Sequence, residues 1–427
     1  MNRNTELHFG MQPEIETQRS SFDLSFDHKT TFNTGELVPI YVQEILPGDT
    51  FSLDTNFIVR MQTPIKPVMD NAYIDIYFFF VPNRLTWDKW EEFMGENKDG
   101  AWDDDITEYN IPGIAVTSTQ PYTKGTVADH MGLPINAPLG TDINCLPFRG
   151  YTLIWNDWFR NQNLQAPLPT YHQNDNVHTL TSNDLNDPSY GGAMLKVNKF
   201  ADYFTTASPE PQKGDPVLIG IGNSAPVVGT GDALGIKWST NQEDRYLGYS
   251  TSGSNHVTLS TTNGQAGTTS TNMYSPTNNS LLGVSTDPDK SGLVADLAQA
   301  TSVTINQLRQ AFQIQKFLET DARSGTRYIE IIKGHFGVTS ADARMQRPEY
   351  LGGERFPINM DQVLQTSESS SESPQGNTAA FSLTGAKESA GFTKSFTEHG
   401  YIIGVACVRT DHSYQQGVNR MWARKRK

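Results

Sequence analysis

One apolar run constrains the fold more than any other feature of this sequence. Residues 73–82 read YIDIYFFFVP, with Asp75 as the single charged side chain. A membrane-spanning helix needs about 20 apolar residues, so the run is too short to cross a bilayer. Its aromatic and β-branched residues favour a strand, and the lack of alternation favours burial on both faces. The run predicts a central strand in a β-sheet core.

Other segments carry strand patterns of two kinds. Residues 22–32 and 51–59 alternate apolar with polar side chains, and the turn signal Pro47-Gly48-Asp49 separates them. We therefore predict paired strands across residues 22–60. Residues 400–409, GYIIGVACVR, predict a further core strand.

Helical periodicity occurs in three places. Residues 86–94 have Thr86 as a candidate N-cap and Gly95 as a terminator, and residues 149–161 and 305–318 repeat apolar positions at helical spacing. Together these patterns predict a mainly β protein with long inserted loops and a few short helices.

Composition narrows the class of protein further. The 427 residues include 35 Gly and 23 Pro and carry a net charge of −14, which argues against a generally basic nucleic-acid binder. The two cysteines, Cys145 and Cys407, lie far apart, so we expect no disulfide framework and a reducing compartment. The N-terminus has no apolar signal region.

Two polar segments indicate how the chain is divided. Residues 246–286 contain no Lys, Arg, Asp or Glu, and residues 365–378 are rich in Ser and Glu. The first reads as a turn-rich excursion and the second as an exposed loop. The expected divisions are an N-terminal arm at 1–21, a first core part at 22–204, a loop insertion at 205–290 and a second core part at 291–427.

The sequence lacks the motifs that would indicate a particular catalytic chemistry. There is no Gly-Lys dipeptide, no G-x-S-x-G and no H-E-x-x-H. The G-x-G-x-x-A match at 220–225 is followed by Pro226, where a phosphate-binding helix would begin. We predict a structural protein with no catalytic residues, no metal ligands and no cofactor.

Weaker candidate sites have simpler interpretations. A calcium-like opening at 287–292 has Ala298 where a glutamate ligand is required, so a turn is favoured. The acidic run at 103–105 reads as a solvated loop. His399 and His412 flank the strand at 400–409 and read as surface or interface histidines.

A basic cluster near the C-terminus has two open interpretations. Arg420, Arg424, Lys425 and Arg426 surround Trp422 with no acidic residue among them. Cations neutralise phosphates and an aromatic ring stacks on an unpaired base, which makes these five residues a candidate nucleic-acid-binding site. The same cluster would also suit a charged strand edge that resists aggregation.

Several long stretches resemble one known family. They include FDLSFDHKTTFNTGELVPIYVQEILPGDTFSLD, RPEYLGG and FTEHGYIIGVACVRTDHSYQQGVNRMW. The matching ranges are 22–54, 61–96, 146–168, 305–338, 347–353 and 396–422. In this order they are similar to the major capsid proteins of microviruses, in the gokushovirus-like branch. The resemblance implies an eight-stranded viral jelly roll, a T=1 icosahedral capsid and a circular single-stranded DNA genome.

The same resemblance implies partners and a location. Copies of the chain would form pentamers and a shell, with genomic DNA inside and a small basic DNA-packaging protein. The insertion at 205–290 would form a surface protrusion that meets a host surface receptor. No membrane span is implied, and virions would assemble in the host bacterial cytoplasm. Family members usually continue past a motif like NRMW, so we expect this chain to be C-terminally truncated.

Two other classes of protein share part of these patterns. An extracellular carbohydrate-binding or hydrolytic β-sandwich would have similar strands, turns and aromatics, but would be expected to begin with a signal peptide. A DNA-binding module would have to confine its binding to one face because of the −14 charge. Hydrodynamic size separates these classes, since shell subunits form pentamers or larger bodies.

Overall fold

The structure is a computed structural model, and it describes most of the chain. The described residues are 18–62, 70–96, 108–202, 208, 210–219, 227–229, 235–238, 241–250, 258–262, 282–284, 293–295, 304–372, 374–413 and 420–425. The chain forms two compact units, Met1–Pro209 with Gly325–Lys427, and Glu210–Ser324. The fold is mainly β, with few helices.

The described strands and helices follow one another in this order. The strands are β1 (Val38–Ile45), β2 (Thr50–Met61), β3 (Ala72–Pro82), β4 (Gly113–Ala115), β5 (Ile143–Asn144), β6 (His178–Thr179), β7 (Val227–Gly229), β8 (Gly235–Trp238), β9 (Asn241–Ser250), β10 (Thr258–Thr262), β11 (Leu282–Val284), β12 (Leu293–Ala295), β13 (Glu349–Leu364), β14 (Thr378–Ser395) and β15 (Gly400–Thr410). The helices are α1 (Asn83–Thr86), α2 (Trp90–Phe93), α3 (Val127–His130), α4 (Leu146–Ile154), α5 (Ile305–Ser324), α6 (Tyr328–Phe336) and α7 (Arg420–Ala423).

Six long strands form the main sheet of the first unit, in the order β1-β15-β3-β13-β14-β2. Every neighbouring pair is antiparallel. β13 changes partner along its length: Glu349–Ile358 pairs with β3, and Asn359–Leu364 pairs with β14. Pro357 lies next to the change, where a strand that passes between layers must bend.

β1 and β2 lie at opposite edges of this sheet although only residues 46–49 connect them. That connection spans at most about 18 Å, whereas a flat six-stranded sheet is about 24 Å wide. The sheet must therefore fold over into two layers. Phe78 of β3 accordingly contacts Phe392 of β14 with ring centroids 5.7 Å apart, although β3 and β14 are not hydrogen-bonded neighbours.

β3 and β15 are buried on both faces. Phe78, Phe80, Ile402 and Ala406 belong to an apolar cluster between the two layers. The alternate residues, including Phe79, Val81, Ile403 and Val405, belong to a second cluster beneath α4. Burial of each such side chain contributes about 1.5–3 kcal/mol to the free energy of folding. Because both faces of β3 and β15 are buried, both strands are continuous apolar runs.

α4 covers the second face of the sheet. Asn144 precedes the N-cap residue Cys145, and its Oδ1 accepts from the Leu146 N–H at 2.8 Å, which satisfies one free donor of the first turn. The helix continues into one π-helical turn, Trp155–Phe159. Gly150 permits close approach to β15, because a Cβ there would lie 3.0 Å from Ile403 Cδ1.

The second unit contains small antiparallel sheets and one long helix. Its described strands pair as β10-β9-β8-β11 and as β12-β7. Thr304 and Gln307 form a capping box at the start of α5, where each side chain accepts from the other residue's backbone N–H. Gln315 and Leu318 attach the helix to residues 212–213.

Several predictions are confirmed and some are wrong. The strands at 73–82 and 400–409, the helices at 149–161 and 305–318, and the exposed loop near 365–378 are all present. The helix predicted at 86–94 is instead two short helices, α1 and α2, because Trp87 adopts an extended backbone.

The paired strands predicted across residues 22–60 are also wrong in part. Residues 22–33 form no strand, and β1 pairs with β15 while β2 pairs with β14. The turn itself is present, with Gly48 at φ +90°. The insertion boundaries at 205 and 290 stay a prediction, and the compact second unit spans Glu210–Ser324.

Candidate interaction surfaces

The basic C-terminal cluster lies at α7. The Trp422 side chain is 72% exposed, and Arg424 and Lys425 are exposed beside it. Arg426 and the side chain of Arg420 lie outside the described part of the chain. An exposed indole with neighbouring cations suits contact with phosphates and stacking on an unpaired base. The structure brings Trp422, Arg424 and Lys425 into one short segment, and their role stays a prediction.

Asp75 is the centre of a buried ionic cluster in the first unit. Its side chain is completely buried, and its Oδ2 lies 2.5 Å from Arg409 Nη2 and 2.7 Å from Arg409 Nε. Arg355 Nε lies 3.5 Å from Asp75 Oδ1. Because a buried carboxylate without a partner is costly, the two arginines stabilise the order β15-β3-β13.

Aromatic rings surround this ionic cluster. The Arg409 guanidinium lies 4.0 Å from the centroid of Phe200 and donates to the Tyr77 hydroxyl at 2.9 Å. Arg355 lies over Tyr73 at 3.9 Å. Burial raises the pKa of Tyr77 to about 12, so this hydroxyl stays protonated at neutral pH. The cluster joins β15, β3 and β13.

Cys145 belongs to the apolar cluster beneath α4, whereas Cys407 lies opposite Asp75 in the sheet. Burial raises the pKa of Cys145 to about 11 and that of Cys407 to about 12. Both thiols are free and buried. A nucleophilic cysteine needs a low pKa and access to solvent, so neither residue suits nucleophilic catalysis.

One histidine–carboxylate pair was not found from the sequence. His178 Nε2 lies 2.8 Å from Asp184 Oδ2, and that carboxylate also accepts from the N–H and hydroxyl of Thr181. The His178 ring stacks on Tyr190 at 4.1 Å. All these partners lie within residues 178–190, which indicates a local structural role. The six-residue spacing from His178 to Asp184 matches none of the catalytic motifs considered in the sequence.

The other sequence candidates have different outcomes. His399 packs its ring 5.5 Å from Trp90. The segments at 103–105, 220–225 and 287–292 lie outside the described residues. Among the His, Cys, Asp and Glu residues that the structure describes, no three converge as metal ligands. None of the described helices combines the length and hydropathy that crossing a bilayer requires.

Residues 18–33, called the arm from here on, carry an exposed apolar row in the first unit. Phe22, Leu24 and Phe26 are all exposed, at alternating positions. These residues line an open cleft of about 2070 Å³ between the arm, β1 and β2. Exposed apolar rows of this kind are typical of surfaces that contact another chain or segment.

Layered β-sheets, buried ion pairs between strands and exposed apolar surfaces are features of a structural protein that contacts other chains. Residues 11–427 match the model of the family described as capsid protein (F protein). The chain belongs to this family of phage capsid proteins. The resemblance to the microvirus capsid proteins is thereby confirmed, and the family indicates a structural protein rather than an enzyme.

Three relatives are similar over nearly the whole chain. Capsid protein VP1 of Bdellovibrio phage phiMH2K is 41% identical over 430 residues, which cover 99% of this chain and 75% of that protein. Capsid protein VP1 of Chlamydia phage 1 is 38% identical, covering 97% of this chain and 75% of the relative. Capsid protein VP1 of Spiroplasma virus 4 is 38% identical, covering 93% and 70%.

Proposed function

We propose that this chain is the major shell subunit of a small tailless phage. Copies of it would assemble through pentamers into a T=1 icosahedral capsid around a circular single-stranded DNA genome. The observation that carries this proposal is the family match, which extends over residues 11–427. The shell would be part of the virion and would assemble in the cytoplasm of the bacterial host.

The sheet order supports an eight-stranded jelly roll as the shell-forming core. The first long strand, β1, pairs with the last, β15, and the consecutive strands β1 and β2 belong to different layers. A jelly roll requires both features, because its chain alternates between two packed sheets. Six of its strands would be those of the main sheet.

Self-association would be obligate and extensive. Exposed apolar side chains occur in the arm, on β2 and on α5, including Phe22, Ile58 and Phe312. Obligate contacts between copies commonly bury more than about 2,000 Å². We propose that the loops and arm around the sheet supply this area.

The loop insertion at 205–290 would form the surface protrusion and contribute to host attachment. The separate compact unit Glu210–Ser324 supports a peripheral location. Its partner would be a receptor on the host surface. On this division, residues 1–21 are an N-terminal extension, and 22–204 with 291–427 supply the core.

DNA contact would be confined to the inner face of the shell. The net charge of −14 requires acidic and basic groups to be divided between surfaces, because uniform contact with DNA would be repulsive. Trp422 and the cations Arg420, Arg424, Lys425 and Arg426 are our candidates for part of that face. A small basic packaging protein would neutralise the remaining phosphates.

Sedimentation with nuclease treatment tests this function. Particles purified from infected or expressing cells are expected to sediment far faster than a monomer and to protect single-stranded DNA from nuclease. A protein that sediments as a monomer and protects no DNA in several buffers would contradict the proposal.

A further inference from the structure

Two contacts place residues 19–26 antiparallel to residues 41–48. The Phe26 ring stacks on Tyr41 of β1, with centroids 5.7 Å apart and an interplanar angle of 19°. Further along, the Arg19 guanidinium donates to the Gly48 carbonyl. Arg19 lies seven positions before Phe26, and Gly48 lies seven positions after Tyr41. Equal steps in opposite directions are the signature of antiparallel pairing.

The base of this arrangement is anchored. The chain turns at Thr34 and Gly35, and Gly35 adopts φ +81°. Thr30 Oγ1 lies 2.9 Å from His130 Nδ1, which holds the arm to α3. Among the described strands β1 pairs with β15 alone, so its opposite edge has no strand partner there.

Extending the register predicts where the apolar residues would point. Leu24 falls opposite Gln43, and Phe22 falls opposite Ile45. Alternate residues of a strand face the same side, so Phe22 and Leu24 would follow Phe26 to the side of Tyr41 and Ile45. That side belongs to the cluster between the layers and lines the cleft of about 2070 Å³. In the present conformation, Phe22 is 78% exposed.

Two features disfavour this strand pairing in the present conformation. Asp23 Oδ1 accepts from the Ser25 N–H at 3.0 Å and from its hydroxyl at 2.5 Å, and such local bonds compete with a strand ladder. The register also places Asp23 opposite Glu44, and like charges directly opposite each other destabilise pairing.

We propose that residues 22–28 are a strap that pairs with residues 39–45 of β1 and closes the cleft between β1 and β2. The occupant of the cleft is the apolar row of this chain's own arm. Pairing stops at Pro39, which has no N–H for a ladder. Closure adds a strand beside β1 and covers an edge that would otherwise be open to another chain.

Disulfide trapping tests the register. The variant Leu24→Cys/Gln43→Cys places two thiols directly opposite each other, whereas the control Leu24→Cys/Val42→Cys places them on opposite faces. Native Cys145 and Cys407 are buried and stay out of the reaction. Under mild oxidation of the assembled protein, we expect the first pair to form an intrachain disulfide at least ~10-fold faster. Equal rates, or a disulfide between two copies, would overturn the proposal.

Two further measurements test the proposal, and the second uses no cysteine variant. Glu44→Gln in the trapping background should accelerate the disulfide, because it removes the like charge opposite Asp23. An unchanged rate would overturn the role of that charge pair. In the unsubstituted protein, the amides of residues 22–28 should gain protection from hydrogen exchange on assembly, and rapid exchange before and after assembly would show that the strap does not close.

Discussion

Arg409 on β15 binds the buried carboxylate of Asp75 on β3 through two guanidinium nitrogens, Nε at 2.7 Å and Nη2 at 2.5 Å. These residues are 334 positions apart in the chain. The interaction joins the first half of the sequence to its last strand at the centre of the main sheet. It also explains how the most apolar run of the chain accommodates a charge.

Replacing Arg409 tests how much its ion pair with Asp75 stabilises the subunit. Arg409→Met leaves Asp75 buried with only the more distant Arg355, and we expect the free energy of unfolding to fall by about 3–5 kcal/mol. Asp411→Asn is the matched control, because Asp411 is half-exposed and its pairing with Arg355 should contribute about 0–1 kcal/mol. Denaturant unfolding of the unassembled subunit measures both. If both variants lower the free energy of unfolding by similarly small amounts, the Asp75–Arg409 pair does not stabilise the sheet.

Close packing of β15 between β1 and β3 depends on Gly404. A Cβ at this position would lie 2.8 Å from Phe78 and 2.9 Å from the Cβ of Tyr41. Gly404→Ala should therefore destabilise the subunit by about 1–3 kcal/mol. The control is Gly140→Ala, where nothing lies within 4 Å of the added atom. Equal melting temperatures for the two variants would contradict the packing described for β1, β15 and β3.

The arm contact should make stability depend on pH. Burial lowers the pKa of His130 below its usual 6.5, and nearby His28 lowers it further, while Asp129 and Glu36 act in the opposite direction. The unfolded chain therefore binds this proton more readily, and stability should rise with pH in the window below about 6.5. His130→Gln should flatten that dependence. Stability curves with the same slope for both proteins between pH 5 and pH 7 would refute this assignment.

The basic cluster has a direct test in the virion. Changing Arg420, Arg424, Lys425 and Arg426 to Gln should lower the amount of packaged DNA and weaken its resistance to salt, because phosphate contacts release counterions. The control changes Lys124 and Arg344, which are exposed elsewhere in the first unit. If the DNA content and the salt resistance equal those of the unsubstituted virion, the cluster is a charged strand edge and not a DNA-binding site.

The second unit should be dispensable for folding. Replacing Glu210–Ser324 with a Gly/Ser linker should preserve the unfolding transition of the first unit, since loop-closure costs rise slowly with loop length. Attachment to host cells should be reduced much more than solubility. A subunit that fails to fold after this replacement would contradict a peripheral insertion.

The segments that could be predicted from sequence are those whose burial is two-sided or strongly periodic. β3 and β15 are continuous apolar runs because each contacts both clusters, and α5 repeats its apolar positions at helical spacing. Residues 22–32 alternate like a strand but form none. The alternation gave a wrong prediction because it does not show whether the edge of another strand pairs with the segment. Likewise, the short turn between β1 and β2 does not reveal that they pair with β15 and β14. The Asp75–Arg409 contact depends on that long-range pairing.

Electron microscopy of the purified protein tests the central claim most directly. If this chain is the major subunit of a T=1 shell, the particles should be uniform, closed and icosahedral, with the six-stranded sheet of each copy within the shell wall. Dispersed monomers or irregular aggregates under all native conditions, with no closed shells, would contradict the account.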